Sequence, residues 1–368
     1  MSRARDFADL AGSASAGGIT GRNMVINGGM TVAQRGTTFA STANVAYTLD
    51  RMQWYDTGAG VVDISQSTDT PNGNFYNSLK IDVTTADTSD NLAAGDLYNI
   101  IIQIEGYDIA HLGWGTSDAK TVTLSFHIKS PKTGTHCVTL RNSDQTRTRV
   151  EEFTVSAADT WEKKTITIPG DTSGTWQATN SAGIQLIFPL AVGSTYHSSV
   201  AAGSWGNGGN IYGSSNQVNC MDSDANNWYI TGIQLEAGQT ATPFEHEDFG
   251  TTLRKCQRYF NKSYDYATAL GTATQIGAVY HRNHTTSTHS NRAVQVSFPV
   301  AMRSNPTITL YSLNGTSGSV SNCDTGYTHS SNDAASISGT VGETGFSKLT
   351  GIAHDAVVAF HYTADKEF

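Results

Sequence analysis

The residues of this chain with the means to do chemistry fall into four groups. The first is a set of rings in glycine-rich loops: Trp114 in HLGWGTS, Trp176 in SGTWQAT, and Trp205 and Tyr212 in GSWGNGGNIYGSSN. A flat ring stacks on the apolar face of a sugar while Asn, Asp and Gln bond its hydroxyls, the division of labour of a polar-ligand site. The competing reading is structural: rings that cap a sandwich core or lie in a subunit interface, where Tyr and Trp are also enriched. The second group is MDSDANN, where Asp222, Asp224 and Asn226 alternate as in a Ca²⁺ loop but lack its Gly and distal Glu. Asx residues favour turns in any case. The third is YHRNHTTSTH, whose His281, His284 and His289 have the chemistry for a transition metal but not a recognised zinc spacing. No metal or cofactor is therefore expected. The fourth is the carboxylates, from which a depolymerase needs only two, paired by three-dimensional distance. The sequence contains no G-x-S-x-G, no H-E-x-x-H and no phosphate-cradling Gly loop. No catalytic residue is assigned, and no enzyme is expected.

These groups must be held by β structure. Ser, Thr, Asn and Gly are abundant, and charged residues make up only 15% of the 368, against about 25% in ordinary globular proteins. That mix favours strands, tight turns and a neutral hydrogen-bonding surface over long helices. Short strand candidates recur with turn residues between them, the all-β signature. They include residues 61–67, 78–83, 100–105, 121–129, 137–142, 150–155, 163–168 and 184–190. In TVTLSFHIKS the alternation predicts Val122, Leu124, Phe126 and Ile128 facing in, with Thr123, Ser125, His127 and Lys129 facing out. Two antiparallel sheets stacked face to face would bury such rows.

The stretch from Trp228 to Phe260 joins two parts. Residues 228–235 read as a strand, with Tyr229, Ile233 and Leu235 on one face and Trp228 and Ile230 on the other. Gly238 to Pro243 breaks the run. A helical pattern follows, with Leu253, Cys256 and Tyr259/Phe260 three to four residues apart. Beyond it, residues 275–280, 293–298, 307–311, 345–349 and 357–362 read as strands, separated by polar loops. The expected organisation is an N-terminal segment and linker over 1–21, a jelly roll over 22–240, a joint with a short helix over 241–261, and a smaller β-sandwich over 262–368.

Other classes are disfavoured. The net charge of -9 and scattered Lys and Arg argue against nucleic acid. MSRARDFADLAG lacks the apolar run of a secretory signal, and no stretch approaches the ~18 apolar residues of a membrane span. Cys137, Cys220, Cys256 and Cys323 lie far apart without a C-x-x-C pair, so free thiols and assembly in the cytosol are the simpler expectation. Residues 1–20 combine a short helix, marginal alone, with a SASAGGITG linker. They read either as a frayed terminus or as a docking peptide.

Several motifs carry a family likeness. ITGIQLEAGQTATPFE followed by LRKCQRYF, with NMVINGGMTVAQRG, YTLDRMQW and FPVAMRSNPTITLY, resembles bacteriophage tail fibre and receptor-binding proteins over residues 20 to 368. Met52 departs from the pattern, at a position where an aromatic residue is expected. The resemblance implies a jelly roll similar to carbohydrate-binding modules, a distal β domain and a homotrimer. It also implies docking to a phage tail or adaptor protein through residues 1–20, and adhesion to a host surface glycan without membrane insertion. The expected location is the virion. Distal loops around Tyr280, His281, His284 and Tyr327 are then candidate receptor contacts, beside the Trp114, Trp176, Trp205 and Tyr212 loops. A polysaccharide depolymerase and a structural virion protein with no receptor of its own are the alternatives.

Overall fold

The period-two rows of the sequence fold as antiparallel strands in the computed structural model. It describes residues 21–282, 291–352 and 357–368, except 43, 72, 88–91, 199, 325, 338 and 340. The expected helix in residues 1–20, together with His284 and His289, lies outside the described residues. Contacts divide the chain into two units. The first holds the described residues up to Ala33, with Thr37–Asp248 and Phe368; the second holds Gln34–Gly36 and Phe249–Glu367.

The first unit contains β1 (Thr38–Phe39), β2 (Ala46–Tyr47), β3 (Gln53–Asp56), β4 (Val61–Ser67), β5 (Ser78–Thr85), β6 (Leu97–Glu105) and a one-turn helix α1 (Gly106–Ile109). It continues through β7 (Val122–Lys129), β8 (Gly134–Arg141), β9 (Arg147–Val155), β10 (Glu162–Ile168), β11 (Ala182–Val192), β12 (Trp205–Asn207) and β13 (Asn227–Ala237). One sheet runs β1-β4-β5-β13-β7-β10 and the other β12-β9-β8-β11-β6-β3-β2. Hairpin neighbours such as β4–β5 and β8–β9 mix with distant ones such as β5–β13 and β6–β11, the crossed connectivity of a jelly roll. The inward rows close one core. Val122, Leu124, Phe126 and Ile128 meet Trp54, Ile100, Ile102, Leu140, Leu186 and Phe188 there, all nearly inaccessible to water. Met52, where the motif resemblance leads to the expectation of an aromatic residue, is fully buried in the same core.

Strand β13 corrects the sequence reading. Thr231 pairs with His127 but Gln234 pairs with Ser125, so β13 carries one extra residue opposite β7. Gly232 takes the left-handed conformation there, φ 63°, the device by which a glycine bulge adds a residue to a strand. The bulge switches the parity of the strand. Trp228, Ile230, Ile233 and Leu235 therefore all enter the core, while Tyr229, Thr231, Gln234 and Glu236 share the outer face.

The second unit begins with α2 (Phe249–Gln257) and β14 (Phe260–Lys262). Strands β15 (Val279–Arg282), β16 (Asn291–Ser297), β17 (Thr307–Tyr311), β18 (Ser319–Cys323) and β19 (His329–Ala334) follow. The last are β20 (Ser336–Ile337), β21 (Val341–Gly342), β22 (Gly345–Thr350) and β23 (Val357–Asp365). β23 organises the larger sheet, pairing β14, β15, β17 and β18. The smaller sheet gathers β16, β20 and β21 around β22. Phe346, Phe360, Leu349, Val320 and Met302 form the core of this unit. The expected helical stripe ends early. Cys256 is buried on α2, but the amide of Tyr259 donates back to Cys256 O, and Tyr259 O accepts from the amide of Lys366. Phe260 opens β14 opposite Asp365, so sheet pairing takes over where the sequence pattern alone continues a helix.

Candidate functional site

The outer face of the first sheet bears a cleft walled by two loops. Its floor comes from β7 and β13, where Ser125 and His127 point away from the core beside Gly232. Two loops wall it. The loop before β5 contributes Asn74 and Phe75. Its base is fixed by Asp69, whose carboxylate accepts from Lys129 Nζ at 2.5 Å and Trp161 Nε1 at 2.9 Å, and by the Thr231 hydroxyl donating to Asn77 O at 2.7 Å.

The other wall is the TPFE segment, and the buried polar residues of β13 explain its sequence. Glu236 accepts from the Thr242 amide at 2.8 Å and the Thr242 hydroxyl at 2.7 Å. Gln234 donates to Thr242 Oγ1 and accepts from the Glu245 amide at 2.8 Å. Glu245 accepts in turn from the amides of Gly21 and Asn23, while Asn23 Oδ1 accepts from Leu235 N. Each buried donor or acceptor in this network has a partner, as burial demands. The result lays Pro243, Phe244 and His246 along the cleft.

The cleft has a volume of about 570 Å³ and is lined by Asn74, Phe75, Ser125, His127, Lys163, Gly232, Ala241, Thr242, Pro243, Phe244 and His246. Phe75 meets Phe244 edge-on at 5.0 Å and His127 at 5.1 Å, and Phe244 meets His246 at 4.9 Å. Burial, with help from the charge of Lys163, pushes His127 down to about 4 and keeps it neutral. His127 Nδ1 is buried without a hydrogen-bond partner among the described residues. Among the described residues no Asp or Glu lines the cleft. Tyr76, next in sequence to Phe75, is 87% exposed.

The ring residues singled out by sequence are placed differently. Trp114 and Trp176 are buried, and they cross each other edge-on at 4.7 Å. Half-buried Trp205 completes the cluster at 5.4 Å from each. Their indole N–H groups donate to Lys120 O, Ser173 O and Pro169 O. Ring faces and donors are thus engaged within the protein, and the cluster caps one end of the core. A shallow opening of about 560 Å³ adjoins it, and its Arg147 is held by both oxygens of Asp171. Tyr212 is also buried. It stacks on Tyr55, lies under the Arg141 guanidinium 4.4 Å from its ring centre, and accepts from Arg141 Nη2. It ends a polar row across the second sheet in which Arg141 bonds Gln185 and Gln185 bonds Gln103.

In the second unit the structure brings Tyr280 and Tyr327 together edge-on at 5.6 Å. Tyr327 is exposed, while Tyr280 packs on Leu313, Cys323, Val357 and Ala359. His281 pairs with Val358 in the sheet register. In the Asp222 loop, Asp222 accepts from Lys132 Nζ at 2.6 Å and Asn226 Nδ2 at 2.8 Å, the bonds of a self-satisfied turn. Among the described residues no three His, Cys, Asp or Glu gather as a metal set.

Sequence reasoning missed the cleft because its walls come from three separate stretches. The available signal was Phe75 in the polar loop NGNFYNS and the aromatic pair in TPFEH.

No family model matches this chain, and no curated protein matches its sequence. Among solved structures it is similar to the enzymatically active domain of bacteriophage CBA120 tailspike protein 4, at 14% identity and a TM-score of 0.31 over 54% of this chain. The chain spans only 21% of that protein. It is also similar to a family 11 carbohydrate-binding module from Clostridium thermocellum solved with a mixed-linked tetrasaccharide, at 14% identity and a TM-score of 0.28, covering 56% of this chain and 97% of that one. A family 22 module of Clostridium thermocellum Xyn10B gives 13% identity and a TM-score of 0.28, over 56% and 98%. Scores of this size assign neither a ligand nor an activity.

Proposed function

We propose that this chain is a bacteriophage attachment protein of the tail fibre class, which adheres to glycan on the host surface and breaks no bond. The observation that carries this reading is the cleft beside Phe75 and Phe244. Aromatic edges and faces, a hydroxyl, an amide and imidazoles line it, the chemistry that recognises a sugar ring and its hydroxyls. Hydrolysis of a glycosidic bond by the usual route needs two carboxyl groups across the scissile oxygen, and the described residues that line the cleft include none. The motif likeness to phage fibre proteins adds the rest of the proposal: a homotrimer, attached to the particle through residues 1–20 and located on the virion. Three weak sites on one body would bind a repeating surface polymer far more firmly than one.

The experiment is competition. Purified chain, at three times the chain mass by light scattering, should block virion adsorption to host cells and release no reducing sugar from envelope polysaccharide. Release of reducing ends would make the protein a depolymerase. Unhindered adsorption, with labelled protein located on the capsid, would make it a structural virion component.

A further inference from the structure

The charge of the cleft says more than its shape. Of the other five lysines in this unit four are paired, Lys80 with Asp82, Lys129 with Asp69, Lys132 with Asp222 and Lys164 with Glu162, all within 2.9 Å, while Lys120, away from the cleft, has no carboxylate partner among the described residues. Among the described residues Lys163 has no carboxylate partner, and it is the only charged side chain of those lining the cleft. This is a cation left unneutralised in a chain of net charge -9. Two further polar groups there are unspent. Ser125 is 4% exposed, and its hydroxyl makes no hydrogen bond among the described residues. The Asn74 side chain, at the rim, makes none either. Opposite these lie the rings of Phe75 and Phe244.

We propose that the cleft receives an anionic saccharide unit, a sugar carrying one carboxylate or phosphate group, with its ring against Phe75 and Phe244 and its charge on Lys163. The proposal rests on the glycan-adhesion reading and narrows it to a ligand class and a place. Ser125 and Asn74 supply hydroxyl contacts at opposite sides of the ring. A volume of about 570 Å³ is within the range of small-ligand sites. Because Lys163 is exposed, its attraction is screened by salt, and its contribution is selectivity more than gross affinity.

The test is titration calorimetry of the full chain with two pairs of probes: trigalacturonate beside its fully methyl-esterified neutral form, and mannose 6-phosphate beside mannose. The expected result is a preference of about tenfold for at least one anionic probe over its neutral counterpart, the scale of one charge-assisted hydrogen bond at an exposed site. That preference should shrink with added salt and vanish in Lys163→Gln. Phe244→Ala should weaken charged and neutral probes alike. Which pair shows the preference separates a uronate from a phosphosugar. Equal binding of charged and neutral probes, or a preference that survives Lys163→Gln, overturns the anionic assignment and leaves glycan adhesion standing. Absence of binding to every probe also overturns it, and the adsorption competition then decides separately whether the adhesion reading falls too.

Discussion

The substitution Gly232→Ala probes fold and cleft at a single atom. Gly232 sits at φ 63°, where a side chain is strained by roughly 1–2 kcal/mol. The new Cβ would also stand 2.5 Å from Phe75 Cζ, 2.9 Å from Phe75 Cε1 and 3.0 Å from His127 Nδ1. No rotamer of alanine avoids this, so Phe75 must move. Overpacking of this kind costs about 1–3 kcal/mol, and the total is about 2–5 kcal/mol. The two contributions separate in a double-mutant cycle. In a Phe75→Ala background the steric part is largely gone, so Gly232→Ala should cost only the backbone strain. The double variant should then be more stable than the sum of the singles by about 1–3 kcal/mol. The assay is denaturant unfolding followed by tryptophan emission. All six tryptophans, at 54, 114, 161, 176, 205 and 228, lie in the first unit, so the signal reports that unit alone. Additivity within about 0.5 kcal/mol would refute the contact between the bulge and Phe75. A wild-type midpoint for Gly232→Ala would refute the left-handed bulge itself.

Other outcomes follow from the same structure. Tyr259 is fully buried, and Tyr259→Ala should cost ~3–5 kcal/mol, seen as faster hydrogen exchange in residues 249–367. Tyr280→Ala should also destabilise the second unit, because Tyr280 packs on Leu313 and Val357; exposed Tyr327→Ala should not, as thermal unfolding would show. Glu245→Ala removes the acceptor for the Gly21 and Asn23 amides and should cost ~1–2 kcal/mol, with faster proteolysis near residue 24. Burial lowers His127 to about 4 and also lowers His136, whose Nε2 donates to Lys132 O. The unfolded chain therefore binds more protons below pH ~6.5. Stability should be complete above that pH and fall as pH drops toward 4, by at most ~1.4 kcal/mol per pH unit for each histidine and by less for half-exposed His127. A flat unfolding midpoint between pH 7 and 4.5 would contradict these placements.

Much of the fold was legible because alternation is a local signal. Val122 to Ile128 point inward as the pattern requires, and all four are buried. The run in β6 was legible as a strand, but not the reason both its faces are apolar. Leu97 and Ile101 face away from the core and are covered by Tyr212, a contact more than a hundred residues long in sequence. Parity was lost at Gly232, since a bulge adds one residue without changing composition. Tyr259 and Phe260 kept helical spacing while sheet pairing with β23 claimed them. Site prediction fared differently. Trp114 and Trp176 carry the right ring chemistry, but they are buried with the edge of one ring against the face of the other, and exposure is not written in residue type. The cleft joins residues 74–75, 125–163 and 232–246 through folding alone. The motif residues Gln234, Glu236, Thr242 and Glu245 proved to be bonded to each other and to the backbone, which explains their spacing without giving them a ligand.

That bonding has a mechanical side. Within the first unit, Glu245 grips the backbone at Gly21 and Asn23, and Asn23 in turn grips β13 at Ile233 O and Leu235 N. The points where the chain runs into and out of the sandwich are therefore stapled to each other at one edge. Tension applied between residues 21 and 248 would be borne first by this short staple, in series with neither the sheets nor the aromatic core. Because Glu245 sits between the cleft residues Phe244 and His246, load at these two connections would reach the cleft wall directly.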